Sequence, residues 1–141
     1  MALPSRLYGE FEMSEHASAG DLADVEKVVW TYLDGLHEGN TQKLASAFHE
    51  VSHLYALGPD GVTDVPRADW LKMVASRPSP KSQALERTDR IVSVDFSGPE
   101  TACVKVECAI PPRYFTDYLT LLKFKNGWRV VSKTFRTTVR S

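Results

Sequence analysis

The sequence has little of what marks membrane, disulfide-bonded secreted or nucleic-acid-binding proteins. It contains no apolar run long enough to cross a bilayer, and its opening segment lacks the continuous apolar stretch of a signal peptide. Only two cysteines occur among 141 residues, and the net charge is −1. No overall field therefore attracts nucleic acid or an anionic membrane. We expect a cytoplasmic protein with neither kind of partner.

Metal and phosphate motifs are also missing. Cys103 and Cys108 lie five residues apart on one predicted strand, so their side chains should point to opposite faces. This disfavours a disulfide between them, and the spacing fits no structural zinc site. His49 and His53 have the spacing of a helical metal pair, but His53 falls in a predicted strand. With no Gly-rich phosphate loop either, the sequence predicts no metal and no cofactor.

Three helices are predicted in the first half of the chain. The first begins at Asp21, whose carboxylate suits a helix start, and ends at Gly39. Asn40 then caps a short second helix, "TQKLASAFHE", and a third, "RADWLKMVAS", follows Pro66. The apolar stripe of the first helix recurs at helical spacing: Val25, Val28, Val29, Tyr32, Leu33 and Leu36.

Strands dominate the second half. "VSHLYAL" is a strand before the third helix, and four further strands follow from Gln83 onward, with the last two joined at Asn126-Gly127. Segregated helices and strands are typical of the α+β class. We predict one domain, residues 21–141, after a flexible arm, residues 1–20.

Both faces of the predicted strand that begins near Tyr114 carry apolar side chains. Tyr114, Tyr118 and Leu122 alternate along one face, and Leu119 and Leu121 lie on the other. The helices cover only one face of such a sheet, so the other face needs a second subunit. We expect a homodimer through the sheet, with Leu119 and Leu121 pointing outward.

Three stretches resemble the nuclear-transport-factor-2-like superfamily, and most closely its branch of putative lumazine-binding proteins. They are "VEKVVWTYLDGLHEGNTQKLASAFHE", "RADWLKMVASRP" and "FTDYLTLLKFKNGWRVVSKTF". The resemblance spans about residues 21 to 137. It implies a curved antiparallel sheet wrapped by three N-terminal helices around a conical pocket, usually in a dimer.

Ketosteroid isomerase shares this fold and allows a comparison by residue. Tyr32 stands eight residues before Asn40, which matches the isomerase's oxyanion-holding tyrosine in type and spacing. The isomerase's catalytic carboxylate falls at Ala56, and its protonated acid falls near Thr120 or Leu121. None of these side chains can exchange a proton as a carboxyl group does, so the isomerase mechanism is rejected.

Three residues are candidates for acid–base chemistry in the pocket. Tyr32 is the strongest, because a buried phenol needs a hydrogen-bond partner. His53 titrates near neutral pH, but strand parity places it outside the pocket unless a bulge intervenes. Asp117 is either a carboxyl group tuned by burial or one member of an ion pair with Arg90 or Lys105.

Aromatic and soft side chains could wall a flat ligand, although the same stripe also suits a plain core. The candidate ligand-binding residues are Trp30, Tyr32, His49, Tyr55, Trp70, Met73 and Tyr118.

Basic residues dominate the end of the chain. After Asp117 no acidic residue occurs, whereas six basic residues do: Lys123, Lys125, Arg129, Lys133, Arg136 and Arg140. Such spaced charges indicate solvent-facing strand positions. The alternative is an electropositive edge that attracts an anionic ligand.

The sequence thus predicts a dimeric small-molecule binding protein that holds an apolar or heteroaromatic ligand. A cofactor-free lyase, isomerase or cyclase in the same pocket is the first alternative. An accessory dimerisation domain without a ligand is the second. Two polar groups that converge on Tyr32 would favour the enzyme.

Overall fold

The computed structural model describes residues 16–141 and contains three helices and one sheet of six strands. The predicted α+β class, with three helices against a curved sheet, is confirmed. Most of the predicted arm lies outside the described residues. The elements are α1 Ala19–Glu38, α2 Thr41–Ala47, β1 Phe48–Gly58, β2 Gly61–Pro66, α3 Arg67–Ala75, β3 Arg90–Ser97, β4 Thr101–Ile110, β5 Arg113–Phe124 and β6 Gly127–Val139.

The strands follow the order β2-β1-β6-β5-β4-β3. All neighbours are antiparallel except β1 and β6, which run parallel, so the sheet is mixed rather than antiparallel throughout as predicted. Strand β2, an exposed edge strand that contains Asp64 and ends at Pro66, was not predicted from the sequence. Both residue types are rare inside strands, which hid this element.

Helix α1 begins two residues earlier than predicted. Ser18 is its N-cap, and its hydroxyl accepts a hydrogen bond from the Asp21 backbone N–H, while the Asp21 carboxylate accepts one from the Ser18 backbone N–H. Asp21 is therefore the third residue of a capping box and not the cap itself. The predicted end is confirmed: Gly39 adopts a left-handed φ of 65°, and Asn40 caps α2.

Two predicted boundaries were wrong. Helix α2 ends at Ala47 because Phe48 turns to extended geometry and begins β1, where its ring packs 4.7 Å from that of Trp70. Strand β3 begins at Arg90, not Gln83. The chain before it forms a turn over residues 80–84 and then an irregular stretch, in which Arg87 bridges Asp34 and Asp89, each at 2.6 Å.

The core lies between the helices and one face of the sheet. Leu119 and Leu121 are fully buried in it, so the prediction that they point outward to a dimer partner was wrong. Tyr118 and Leu122, on the other face of β5, are 48% and 38% exposed. Strand parity fixes only which residues share a face; which of the two faces meets the helices follows from tertiary packing.

Asp21 ties the start of α1 to the β5–β6 hairpin. Its Oδ1 accepts hydrogen bonds from Lys123 Nζ at 2.8 Å and from Trp128 Nε1 at 3.1 Å. The hydrogen bond from Lys123, with those from Ser18 and Trp128, holds the pKa of this carboxyl well below its ordinary value of 3.8. The carboxylate form thus stabilises the fold.

Replacing Asp21 tests this link. We expect Asp21→Asn to lower the free energy of unfolding by about 2 kcal/mol at pH 7, because the bonds that it loses involve a charged group. Asp24→Asn, an exposed change in the same turn, is the control and should cost less. Urea denaturation measures both variants.

The contribution of Asp21 to the free energy of unfolding should depend on pH. Because the folded-state pKa of Asp21 is depressed, its stabilisation is complete above the unfolded-state pKa near 4 and is lost as the pH falls through the folded-state value. The difference in unfolding free energy between the native chain and Asp21→Asn should therefore shrink below about pH 4. A difference that stayed constant down to the lowest pH at which the chain folds would contradict this account.

Candidate functional site

A cavity of about 230 Å³ lies between the helices and the inner face of the sheet. Its walls are mostly apolar, and they come from α1, α3 and five of the strands. The apolar lining residues are Leu36, Leu54, Val65, Trp70, Met73, Ile110, Phe115 and Phe135. The polar ones are Thr63, Arg77, Arg113, Lys133 and Thr137, so the cavity wall formed by residues 16–141 has three cationic side chains and no carboxylate.

Lys133 is the deepest of these cations. It is only 6% exposed, and its Nζ lies 5.1 Å from the ring centre of Tyr32, 5.4 Å from that of Trp70 and 4.8 Å from that of Phe135. Aromatic faces attract an ammonium group at such distances. The predicted solvent-facing position of Lys133 was therefore wrong.

A bulge in β6 turns Lys133 inward. Thr120 of β5 pairs with Ser132, but Leu121 pairs with Val130, so Val131 has no counterpart on β5. Trp128 and Val130 face the core before the bulge. An extra residue in a strand shifts every later side chain to the other face. Lys133 consequently points inward, beside its parallel neighbour Leu54 of β1.

Asp117 and Tyr32 meet directly behind Lys133. Both are fully buried, and the Tyr32 hydroxyl donates a hydrogen bond to Asp117 Oδ2. Lys133 Nζ lies 3.8 Å from the same oxygen, which makes an ion pair, and Cys108 Sγ lies 3.7 Å from it. The partner of Asp117 is thus Lys133 and not Arg90 or Lys105, the partners considered from sequence.

This arrangement keeps the neighbouring groups protonated. Burial, reinforced by the negative charge of Asp117, raises the pKa of the Tyr32 phenol well above its ordinary value. The same two causes raise the pKa of the Cys108 thiol. Tyr32 therefore remains a hydrogen-bond donor, and Cys108 remains a thiol rather than a nucleophilic thiolate.

Both members of the ion pair carry hydrogen-bonding atoms that no described residue uses. Asp117 Oδ1 has no hydrogen-bond partner within residues 16–141. Lys133 Nζ donates no hydrogen bond to any residue in that range, although an ammonium carries three donors. Of the three residues, only Lys133 lines the cavity, so it is the one that a ligand there would contact.

The histidines lie elsewhere. His53 is on the opposite face of β1, where its Nδ1 lies 2.6 Å from Asp64 Oδ1 and its ring stacks on Tyr55. The ring of His49 stacks on Phe124 at 4.4 Å. The structure therefore brings Asp117, but not His53, to Tyr32.

The other predicted ligand-binding residues divide into two groups. Trp70 and Met73 line the cavity beside Lys133. Trp30, at 40% exposure, and Tyr118 lie on the outside, where Lys105 Nζ sits 5.7 Å from the Tyr118 ring centre. Trp30 and Tyr32 both lie on α1, but only Tyr32 is buried in the core.

A second depression, about 500 Å³, runs over β4, β5 and the end of β6. It is larger but more polar, and its charged residues include the Arg90–Glu107 pair at 2.7 Å. The smaller cavity is the better candidate because its walls are mostly apolar and include Lys133, a buried charged residue with unused hydrogen-bonding capacity.

Within the described part of the chain, no cluster of three or more His, Cys, Asp or Glu side chains could hold a metal ion. No helix there is long and apolar enough to cross a membrane. The cytoplasmic location remains a prediction.

Sequence comparison gives one family and a curated relative. The profile of a family described as putative lumazine-binding matches residues 20–136. The aldolase FrzH of a Cladobotryum species is 21% identical over 130 residues, which cover 91% of this chain and 100% of the aldolase.

Solved structures of the nuclear-transport-factor-2-like class share the fold. A protein of unknown function from Silicibacter pomeroyi superposes with a TM-score of 0.76 at 22% identity, covering 87% of this chain and 100% of its own. A ketosteroid isomerase-like protein from Erwinia carotovora atroseptica gives 0.69 at 13% identity, with 87% and 100% covered. A putative scytalone dehydratase from Novosphingobium aromaticivorans gives 0.62 at 18%, with 84% of each chain covered.

The buried ion pair of Asp117 and Lys133 should contribute to the stability of the fold. Asp117→Asn should lower the free energy of unfolding by about 3–5 kcal/mol, because it leaves the buried ammonium of Lys133 without a counter-charge. The double variant Asp117→Asn/Lys133→Met removes both charges and should cost less than the sum of the single variants. Urea denaturation of the four proteins gives the coupling energy.

Glu107→Gln is the matched control, because it breaks the exposed pair with Arg90. It should change the free energy of unfolding by no more than about 1 kcal/mol. Strictly additive effects of the Asp117 and Lys133 changes would show that the two side chains do not interact.

Proposed function

Because the chain belongs to the putative lumazine-binding family, whose profile matches nearly all of its domain, we propose that it acts on a small molecule in the cavity beside Lys133. The reaction is cofactor-free chemistry on a carbonyl compound. Lys133 supplies the reacting amine.

One observation carries this proposal. Lys133 combines burial, an apolar and aromatic surround, a position in the cavity wall, and a terminal amine that donates no hydrogen bond to residues 16–141. Lysine amines in hydrophobic pockets are the groups that form Schiff bases with carbonyl substrates. The rest of the cavity wall offers two arginines and two threonines, which cannot form such a bond.

The covalent step needs no other reactant. The ammonium of Lys133 first gives a proton to Asp117, its nearest carboxylate at 3.8 Å. The amine nitrogen then adds to the carbonyl carbon, the carbonyl oxygen takes up protons, and water leaves. One amine and one carbonyl compound give one imine and one water. A protonated imine withdraws electrons, so a bond to the adjacent carbon breaks or forms more readily.

Asp117 and Tyr32 act through Lys133, since neither lines the cavity. Asp117 holds the amine in place, and the Tyr32 hydroxyl orients Asp117. They are positioning residues in this proposal rather than the catalytic residues expected from sequence. Of the two polar groups whose convergence on Tyr32 was expected for an enzyme, Asp117 reaches the Tyr32 hydroxyl and His53 does not.

The size of the cavity limits the substrate. A cavity of about 150 Å³ holds benzene, so 230 Å³ suits a compound with one ring and a short substituent. The name of the Cladobotryum relative fits this chemistry, because an aldolase makes or breaks a carbon–carbon bond beside a carbonyl group.

A binding protein without turnover is the second candidate. The predominance of apolar side chains in the cavity wall favours it. In that case Lys133 only donates hydrogen bonds to the ligand. An open cavity argues against the third possibility, a ligand-free accessory domain whose core is filled.

We also propose a homodimer through the outer face of the sheet. Tyr118 and Leu122 lie on that face of the central strand β5, and both are substantially exposed. Apolar patches on a sheet face favour contact with another protein surface.

Reductive trapping tests the proposed chemistry. The protein is mixed with dilute benzaldehyde and cyanoborohydride, which reduces an imine to a stable amine, and peptide mass mapping locates the added benzyl group. We expect Lys133 to be labelled before exposed lysines such as Lys125. Tyr32→Phe should slow labelling of Lys133 without unfolding the protein.

Lys133→Arg is the control, because it keeps the positive charge without a nucleophilic amine. Deuterium exchange at the α-carbon of cyclohexanone, followed by NMR, adds a catalytic readout and should fall by about 10²- to 10⁴-fold in this variant. Labelling spread evenly over exposed lysines, with exchange unchanged in Lys133→Arg, would exclude the imine and leave the binding protein.

The dimer has its own test. We expect Tyr118→Lys/Leu122→Lys to convert a dimer to a monomer in light scattering, because two charges would be buried at the interface. Leu57→Lys, an 85% exposed position in the β1–β2 hairpin, should leave the dimer intact. A native chain that is already monomeric, or a double variant that remains dimeric, would refute the interface.

A further inference from the structure

Two arginines share the cavity with Lys133 but lie nearer to solvent. Arg77 follows α3 and is partly buried, whereas Arg113 is the first residue of β5 and is exposed. Lys133 is almost fully buried. The cavity therefore has a deep amine at one end and two guanidinium groups toward the solvent.

Neither arginine has a carboxylate partner among residues 16–141. Arg129, Arg136 and Arg140 also lack one there, but Arg77 and Arg113 are the two arginines that line the cavity. Arg87 bridges Asp34 and Asp89, Arg90 pairs with Glu107, and Arg67 donates hydrogen bonds to the backbone carbonyls of Ala45 and Phe48. The fold thus neutralises or occupies several guanidinium groups and leaves the two at the cavity unpaired.

The two charges also act on each other. Burial, together with the positive charge of Arg113, lowers the pKa of Arg77. Like charges held together in a partly desolvated place are unfavourable unless an anion joins them. An anion in the cavity would relieve this repulsion and use the ten N–H donors of the two guanidinium groups.

We propose that Arg77 and Arg113 bind a carboxylate of the substrate, which makes the substrate a small oxo-acid with its carbonyl group toward Lys133. This assignment of substrate class rests on the proposed function of the same cavity. The planar guanidinium fork matches the two oxygens of a carboxylate. Once one ring is placed, the cavity volume leaves room for such a small planar group.

Binding of benzoate and benzamide tests the anion site without any reaction at Lys133, because neither compound forms an imine under these conditions. By isothermal titration calorimetry, we expect benzoate to bind more tightly than benzamide. Arg77→Met and Arg113→Met should each weaken benzoate binding by roughly tenfold to hundredfold, since each removes charge-assisted hydrogen bonds. Benzamide binding should change little.

Two further variants control for charge and for folding. Arg77→Lys keeps the charge but loses the fork, and it should retain part of the preference for benzoate. Arg136→Met removes an exposed arginine that does not line the cavity and should leave the preference unchanged. Urea denaturation checks that each variant is folded.

Equal affinity for benzoate and benzamide would overturn the proposal. So would a preference that disappears in Lys133→Met but survives in both arginine variants, because the carboxylate would then lie at the amine. Tighter binding of phenyl phosphate with the same arginine dependence would replace the carboxylate with a phosphate ester.

The result of the benzoate binding test can be distinguished from the result of the trapping test of the proposed reaction. An arginine-dependent preference for benzoate without trapping at Lys133 supports the anion site and rejects the imine chemistry. Trapping at Lys133 without any preference for benzoate supports the chemistry and rejects the oxo-acid.

Discussion

The buried pair of Lys133 and Asp117 is the constraint that organises this molecule. Removing an ammonium and a carboxylate from water costs several kcal/mol for each ion, and proximity alone does not offset this cost. The remaining stabilisation of the two ions comes from the Tyr32 hydroxyl, which donates a hydrogen bond to Asp117, and from the aromatic faces of Tyr32, Trp70 and Phe135 around Lys133. A filled apolar core would have been simpler to stabilise, so the retained charges point to a use.

The cavity follows from the same constraint. Because Asp117 engages Tyr32 and Lys133 through one oxygen, the amine is held at one side and keeps its donors for whatever enters. Arg77 and Arg113 extend the positive potential from this amine toward solvent. An incoming anion thus meets two positive charges near the solvent and falling polarity farther in, which favours a molecule with a charged end and an apolar body.

Much of the fold was readable from the sequence because its signals are local. Gly39 and Asn40 separate two helices by their own conformational preferences, and Asn126-Gly127 closes the last hairpin. Tyr32 and Asp117 could be named as candidates because buried phenols and carboxylates need partners. Their shared partner, Lys133, could not be named from the sequence. Lys133 was assigned to solvent as one of six spaced basic residues. Strict alternation from Trp128 and Val130 would also put it outside, and only the unpaired Val131 reverses that order. Arg77 follows the end of α3 and Arg113 begins β5, far apart in the sequence, so only the assembled cavity shows that they lie together.

The parallel pairing of β1 with β6 has a consequence for how the chain folds. Strands β3 to β6 pair with their sequence neighbours, so this meander closes only short loops. Leu54, by contrast, lies beside Lys133 across 79 residues of chain. Contacts between such distant segments pay more loop-closure entropy and slow folding. The wall that joins Leu54 to Lys133 is therefore a late product of folding. Until β1 pairs with β6, the chain has a sheet of four strands but no cavity, and the amine of Lys133 is exposed to water.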